Sequence, residues 1–233
     1  MKPRVHIVST KVLNEELVRF LEPAGITITN LDFVIKTITV PKHIDSALID
    51  QTIVLTSKTA VEAWMKIAEH LAVEIKKYKV YCLAAGTQTL CVHYGLTIAG
   101  VANEASSLAD LIMKDKSISS LTFICGNLRR GELPNKLNRS RIKVREIEAY
   151  QTQSSSIKIE KSFDGVIFFS PSAIDSFLLL NPIHSAIAFC IGQTTANHAR
   201  QAGYQHIYVA ETHSPESLVK TVANYYKNKT VHA

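Results

Sequence analysis

Six short turns in the chain carry similar chemistry. Each follows an apolar run and places small polar residues just ahead of a helical pattern: Ser9-Thr10, Thr56-Ser57, Gly86-Thr87-Gln88-Thr89, Gly126-Asn127, Ser170-Pro171-Ser172 and Gly192-Gln193-Thr194-Thr195. The first N–H groups of a helix have no partner within it. With a hydroxyl nearby and the positive end of the helix dipole, they form a ready anion site. Any one of these turns, read alone, is an ordinary helix cap. Their repetition points to a ligand that carries several carboxylates or phosphates.

The stretch Cys125–Leu137, "CGNLRRGELPNKL", adds two arginines to one such turn. Arg129 is expected to meet a carboxylate at the rim of a site and Arg130 to be solvated. Leu133 and Leu137 fall at helical spacing and form a buried face. Tyr150 lies in an extended segment that should face a cleft between two domains. A phenol with a pKa near ~10 stays protonated at neutral pH and can act as hydrogen-bond donor or general acid. The plainer reading is a half-packed strand tyrosine.

Other chemistry has no seat. The chain holds no G-x-G-x-x-G, Walker loop, G-x-S-x-G or H-E-x-x-H. Its histidines are dispersed, with His198 and His206 reading as helix and strand surface. Carboxylates do not pair in a strand-end turn, as glycosidase or metal-dependent chemistry would require. An enzyme of this composition is expected to work without a metal, through positioning and few proton transfers.

The bulk properties set wider bounds. The 233 residues are 46% hydrophobic and 20% charged, as in a globular protein. No apolar run reaches the roughly 18 residues of a membrane span. The opening "MKPRVHIVST" reads as a first strand and not as a signal peptide, so a cytoplasmic protein is expected. A net charge of +6, with pI ≈ 9.1, favours an acidic partner. The basic residues are scattered, without the one-sided clustering of a nucleic-acid surface. Cys82, Cys91, Cys125 and Cys190 show neither C-x-x-C spacing nor nearby histidine ligands, and read as reduced core residues.

These residues need elements to position them. Strand-like runs at 5–9, 26–34, 52–57, 79–84, 96–100, 121–125, 143–147, 165–170, 186–192 and 206–210 alternate with helix-period stretches such as "AVEAWMKIAEHLA" and "SPESLVKTVANYY". In the latter, Ser214 reads as N-cap and Pro215 as the first helical residue. The alternation predicts an α/β fold of parallel sheets covered by helices.

Three units recur in the same order: "IVLTSKTAVEAW" with "VIFFSPSAIDSF", "VYCLAAGTQTLCVHYG" with "IAFCIGQTTANHARQAG", and "IAGVANEASSLADLI" with "YVAETHSPESLVKTV". Two similar domains of five strands each follow if the N-terminal βαβ segment joins the C-terminal half. The expected boundaries are 1–36 plus 152–233 for one domain and 41–146 for the inserted one. The crossings at 36–41 and 146–153 would pair as a two-stranded β-ladder hinge.

Taken together, "VLTSKTAVEA" (54–63), "FICGNLRRGELPNKL" (123–137), "AYQT" (149–152), "FFSPSAIDSF" (168–177) and "IGQTTANHARQAG" (191–203) resemble the uroporphyrinogen-III synthase family. That resemblance implies two flavodoxin-like or Rossmann-like domains joined by a β-ladder, with the active site in the cleft between them and no metal or cofactor. It also implies hydroxymethylbilane as substrate, a linear tetrapyrrole with eight carboxylates, closed with loss of water and inversion of the last ring through a spiro intermediate.

By position, Tyr150 matches the tyrosine proposed to assist departure of the hydroxyl. Ser57, Thr87, Ser170, Ser172, Thr194 and Thr195 match cleft-lining positions, and Gly126, Asn127 and Arg129 match the family's "GN-L-basic" turn. Ser9, Thr10, Gly86 and Thr89 complete the expected substrate contacts. Lys58 departs from the family, which commonly has proline there, as do Ala102 and Ser106 where acidic or glycine residues are common.

The implied partners are the substrate and, transiently, the preceding pathway enzyme, with no nucleic acid and no membrane. A monomer is expected. Two other readings stand beside this one: a non-catalytic two-lobed binder of an acidic small molecule, and an α/β enzyme acting on a phosphorylated small molecule.

Overall fold

A computed structural model of the chain describes residues 5–183 and 186–231. In chain order the first elements are β1 (Val5–Ser9), α1 (Glu15–Leu21), β2 (Ile26–Asn30), β3 (Val34–Ile38), β4 (Thr52–Leu55), α2 (Lys58–His70), β5 (Lys79–Leu83) and α3 (Gly86–His93). Next come β6 (Thr97–Ala102), α4 (Ala105–Lys114), β7 (Ser120–Gly126), α5 (Glu132–Arg139) and β8 (Lys143–Ser154). The remainder holds β9 (Gly165–Phe168), α6 (Pro171–Leu178), β10 (Ile187–Cys190), α7 (Gln193–Gln201), β11 (Ile207–Val209) and α8 (Pro215–Val231). The chain divides into two compact units. One takes the chain up to Ile35 and from Gln153 onward, and the other is Lys36–Thr152.

In the first unit the sheet order is β11-β10-β9-β1-β2, with every neighbouring pair parallel. The central strands "GVIF" and "IAFC" are buried along their whole length, as in a parallel sheet covered on both faces. Ile7, Ile167 and Phe189 pack on one face with Leu218, Val219 and Val222 of α8. Val8, Val166, Phe168 and Ala188 pack on the other with Ile174 and Phe177 of α6 and Ala196 and Ala199 of α7. The alternation follows from the two-residue period of a strand. As its sequence predicts, α8 begins at Pro215, and the Ser214 hydroxyl accepts from the Ser217 N–H at 3.1 Å.

The second unit has the order β3-β8-β7-β4-β5-β6. Ile53, Leu55 and Ile124 face Trp64 and Ile67 of α2, while Val54 and Phe123 face Leu108 and Ile112 of α4 and Leu133 and Leu137 of α5. The expected five strands are six here, because β8 runs for 12 residues and takes β3 as its edge neighbour.

The expected single run 26–34 is also two strands. Asn30 ends β2 by binding both the N–H and the carbonyl of Leu13, at 2.8 and 2.9 Å. Leu31 and Phe33 then donate their N–H groups to the carbonyls of Ser9 and Thr10, which turns the chain out of the sheet before Val34.

All four cysteines are free thiols in the core. No helix among the described residues is long and apolar enough to cross a membrane.

Candidate active site

A parallel sheet gathers the turns that follow its strands at one edge, next to the N-termini of the helices. Within residues 36–152 that edge is completed by β8. β7 and β8 pair in step from Ser120↔Lys143 to Cys125↔Glu148, and a one-residue irregularity then sets Gly126 opposite Tyr150. Bulges of this kind re-aim the side chains that follow. The Tyr150 ring lies against Gly126, so that a Cβ at residue 126 would come within 2.3 Å of a ring carbon.

The phenol oxygen of Tyr150 is 3.3 Å from the Ser57 hydroxyl. Ser57 is the N-cap of α2 and accepts from the Ala60 N–H at 3.1 Å. Burial of the ring raises the Tyr150 pKa above 10.0, and the hydrogen bonds from Ser57 and from the Gly126 backbone pull in the opposite direction without reversing it. At neutral pH the group is a protonated phenol, fit to donate a hydrogen bond.

The rest of the turn holds this arrangement. The Asn127 N–H donates to the Tyr150 carbonyl at 3.3 Å, and its side chain binds Thr152 twice, accepting from the N–H at 2.8 Å and donating to the carbonyl at 3.2 Å. The amide side chain thus extends the β7–β8 ladder by one step. Arg129 donates its N–H to the Gly126 carbonyl at 3.2 Å and forms an ion pair with Glu146 through its guanidinium. Asn127 and Arg129, expected as substrate contacts, are therefore engaged within the protein. Arg130 is exposed, and Leu133 and Leu137 are buried.

At the third turn of this unit Ala85 precedes α3 with φ 60 and gives its first turn no side-chain cap. The Lys58 side chain lies across Gly86, in space that a Cβ would occupy. Thr87 is buried, and Thr89 donates to the Ala85 carbonyl at 3.1 Å.

In the other unit the Ser170 hydroxyl caps α6, accepting from Ala173 N–H at 3.2 Å, and lies 3.0 Å from the Ser172 hydroxyl. Thr194 is exposed at the start of α7 and Thr195 is buried. The His213 ring lies across Gly192, as Lys58 does across Gly86. Ser9 is fully buried and donates to the Lys11 carbonyl at 2.6 Å. Thr10, 2% exposed, donates to the Ile167 carbonyl at 2.8 Å. Their hydroxyls tie loops to the sheet.

The structure brings Tyr150, Ser57, Gly126 and Asn127 together in one unit, and Ser170 with Ser172 in the other. Sequence reasoning did not find the overlay of Gly86 by Lys58 and of Gly192 by His213. Its one trace was the glycine that opens both Thr-rich turns of the repeat.

Comparison with known proteins decides the family. A family profile described as uroporphyrinogen-III synthase HemD matches residues 31–220. The chain belongs to the uroporphyrinogen-III synthase family. A uroporphyrinogen-III synthase of Saccharomyces cerevisiae is 26% identical over 227 residues, covering 82% of this chain and 81% of that protein.

Two solved structures share the fold. One is the uroporphyrinogen-III synthetase of Helicobacter pylori, with a TM-score of 0.70 at 17% identity over 95% of this chain and 99% of that one. The other is a mutant uroporphyrinogen III synthase of Thermus thermophilus, with a TM-score of 0.69 at 15% identity over 97% of this chain and 99% of that one. As a uroporphyrinogen-III synthase family member, the chain is an enzyme of tetrapyrrole biosynthesis, a lyase.

Proposed function

We propose that this enzyme closes hydroxymethylbilane to uroporphyrinogen III, with inversion of ring D and loss of water, and that Tyr150 is its catalytic residue. The Tyr150 phenol gives its proton to the departing hydroxyl as the carbon–oxygen bond breaks, and water leaves. Electrons of the pyrrole nitrogen stabilise the azafulvene cation. The substituted α-carbon of ring D attacks this cation and gives the spiro intermediate. Its older bond to the methylene bridge from ring C then breaks, the other α-carbon of ring D captures the freed methylene, and the proton lost from that carbon restores the phenol.

Carboxylates of the bilane meet first-turn N–H groups and the hydroxyls of Ser170, Ser172 and Thr194, each of which is exposed or half-buried. Positioning of the substrate, more than acid strength, directs closure to the inverted isomer.

One observation carries the reading: a phenol kept protonated by burial, 3.3 Å from a helix-capping hydroxyl and held against Gly126. The test supplies freshly generated hydroxymethylbilane, oxidises the products and separates the porphyrin isomers. Spontaneous closure gives isomer I, so the expected result is enrichment of isomer III, and isomer I alone overturns the assignment. Tyr150→Phe is expected to lower the rate by about a hundredfold or more. An unchanged rate removes Tyr150 from the mechanism.

A further inference from the structure

We infer that Ser57 is a positioning residue for Tyr150: its hydroxyl donates to the phenol oxygen, which leaves the phenol's own hydrogen free for the substrate. The inference rests on the proposed role of Tyr150 and gives Ser57 a task other than binding a carboxylate.

A serine hydroxyl has one hydrogen and two lone pairs. In Ser57 a lone pair is taken by the Ala60 N–H at 3.1 Å, and the phenol oxygen of Tyr150 lies 3.3 Å away. Either oxygen of that pair could donate. If the phenol donated, its only hydrogen would be spent on Ser57 and Tyr150 could offer a ligand nothing but lone pairs.

Two physical effects oppose that orientation. The N-terminus of α2 carries the positive end of the helix dipole, which repels a hydrogen directed from the phenol toward Ser57 and favours one directed away from the helix. Accepting from Ala60 also polarises the Ser57 O–H and strengthens it as a donor.

Gly126 supplies the second constraint. With the ring lying across its α-carbon, the phenol cannot swing toward β7 to find another partner. The Tyr150 oxygen is thus fixed from one side by Ser57 and its ring from the other by Gly126. The equivalent cap of the repeat, Ser170, has the Ser172 hydroxyl beside it at 3.0 Å. The relay from helix end through serine to phenol therefore belongs to residues 36–152.

The test compares Ser57→Ala, Ser57→Thr and Ser57→Asp with Tyr150→Phe in the full-length enzyme, using isomer-resolved kinetics. Ser57→Ala is expected to lower kcat by about tenfold with KM little changed, a smaller loss than removal of the general acid itself. Ser57→Thr keeps the hydroxyl and the cap and should restore kcat. Ser57→Asp also keeps the cap but only accepts. It should draw the phenol hydrogen to itself and lower kcat at least as far as alanine does, with the melting temperature unchanged. In the Tyr150→Phe background Ser57→Ala should have no further effect on kcat, because the group it positions is gone.

A raised KM at unchanged kcat in Ser57→Ala identifies a direct substrate contact and overturns the inference. So does a tenfold loss that persists on Tyr150→Phe, or a Ser57→Thr variant as slow as alanine. Loss of activity in Tyr150→Phe with a fully active Ser57→Ala sinks the positioning role alone. Full activity in Tyr150→Phe sinks the role of the phenol, and the inference with it.

Discussion

Gly126 and Tyr150 are partners across the bulged end of β7 and β8, and the tyrosine ring occupies the space where any other residue at 126 would carry its Cβ. A single glycine therefore fixes where the phenol can be. The backbone there is extended strand, so the requirement for glycine comes from close approach of a side chain and not from an unusual φ.

The first prediction follows directly. Gly126→Ala pushes the Tyr150 ring away from Gly126 and from Ser57. Overpacking of this kind destabilises by about 1–3 kcal/mol. Formation of isomer III should fall nearly as far as in Tyr150→Phe. Urea unfolding and the isomer assay check the two parts separately, and a fully active Gly126→Ala would show that the ring's position does not matter.

Asn127→Ala removes both side-chain bonds to Thr152. These are exposed, neutral hydrogen bonds worth about 1 kcal/mol each at most, so a stability loss of about 1–2 kcal/mol is expected. Amide hydrogen exchange gives a local readout: the Thr152 N–H should lose its protection while those of the central strands β4 and β5 keep theirs.

Ala85 has φ 60 and ψ -129, a conformation that L side chains rarely adopt. Such strain costs on the order of 1–3 kcal/mol, and glycine returns part of the gain through a more flexible unfolded chain, about 0.4–1 kcal/mol. Ala85→Gly is therefore expected to be net stabilising by about 1 kcal/mol, read as a rise of a few degrees in the unfolding midpoint. A lower midpoint would mean that the alanine methyl makes contacts worth more than the strain.

Stability should also fall at alkaline pH. Burial pushes the Cys125 thiol up to about 11 and the Cys190 thiol up to about 12, from 9.0. Burial likewise raises Tyr81, Tyr150, Tyr204 and Tyr226 above 10.0. The unfolded chain therefore loses these protons first as pH rises, the thiols near 9 and the phenols near 10. Each group's contribution is complete below its unfolded pKa and declines as pH rises toward its folded one. Urea midpoints measured under reducing conditions should be level between pH 7 and 8 and drop steadily above pH 9. A flat profile to pH 11 would show that these groups are more solvated than their burial implies.

The pattern of strands and helices was legible because it depends on periodicity. "VHIVS", "KVYCLA" and "LTFIC" are strands within a residue or two of their expected ends. The serine caps were legible too. The repeat put Ser57 and Ser170 in equivalent places, and both accept from the N–H three residues on. The run "ITITNLDFV" misled because its alternation is strand-like throughout. What breaks it is Asn30 binding Leu13, a partner 17 residues away.

Site residues divide along the same line. Polar side chains at strand ends are visible in the sequence, but the partners they choose are not. Thr10 and Ser9 are turned inward to carbonyls, Arg129 is paired with Glu146, and Asn127 is spent on the backbone of Thr152.

By itself, then, the sequence determined the α/β alternation and the helix caps, because each follows from residues close together in the chain, while the family resemblance marked the tyrosine worth testing. Only the tertiary structure decided that Tyr150 lies over Gly126 and beside Ser57. Those contacts join residues 24 and 93 positions apart, brought together by β-sheet register and a bulge. A hydrogen bond or a ring contact is satisfied by whatever lies within a few ångströms, and at that separation the chain order carries no information about which residue it will be.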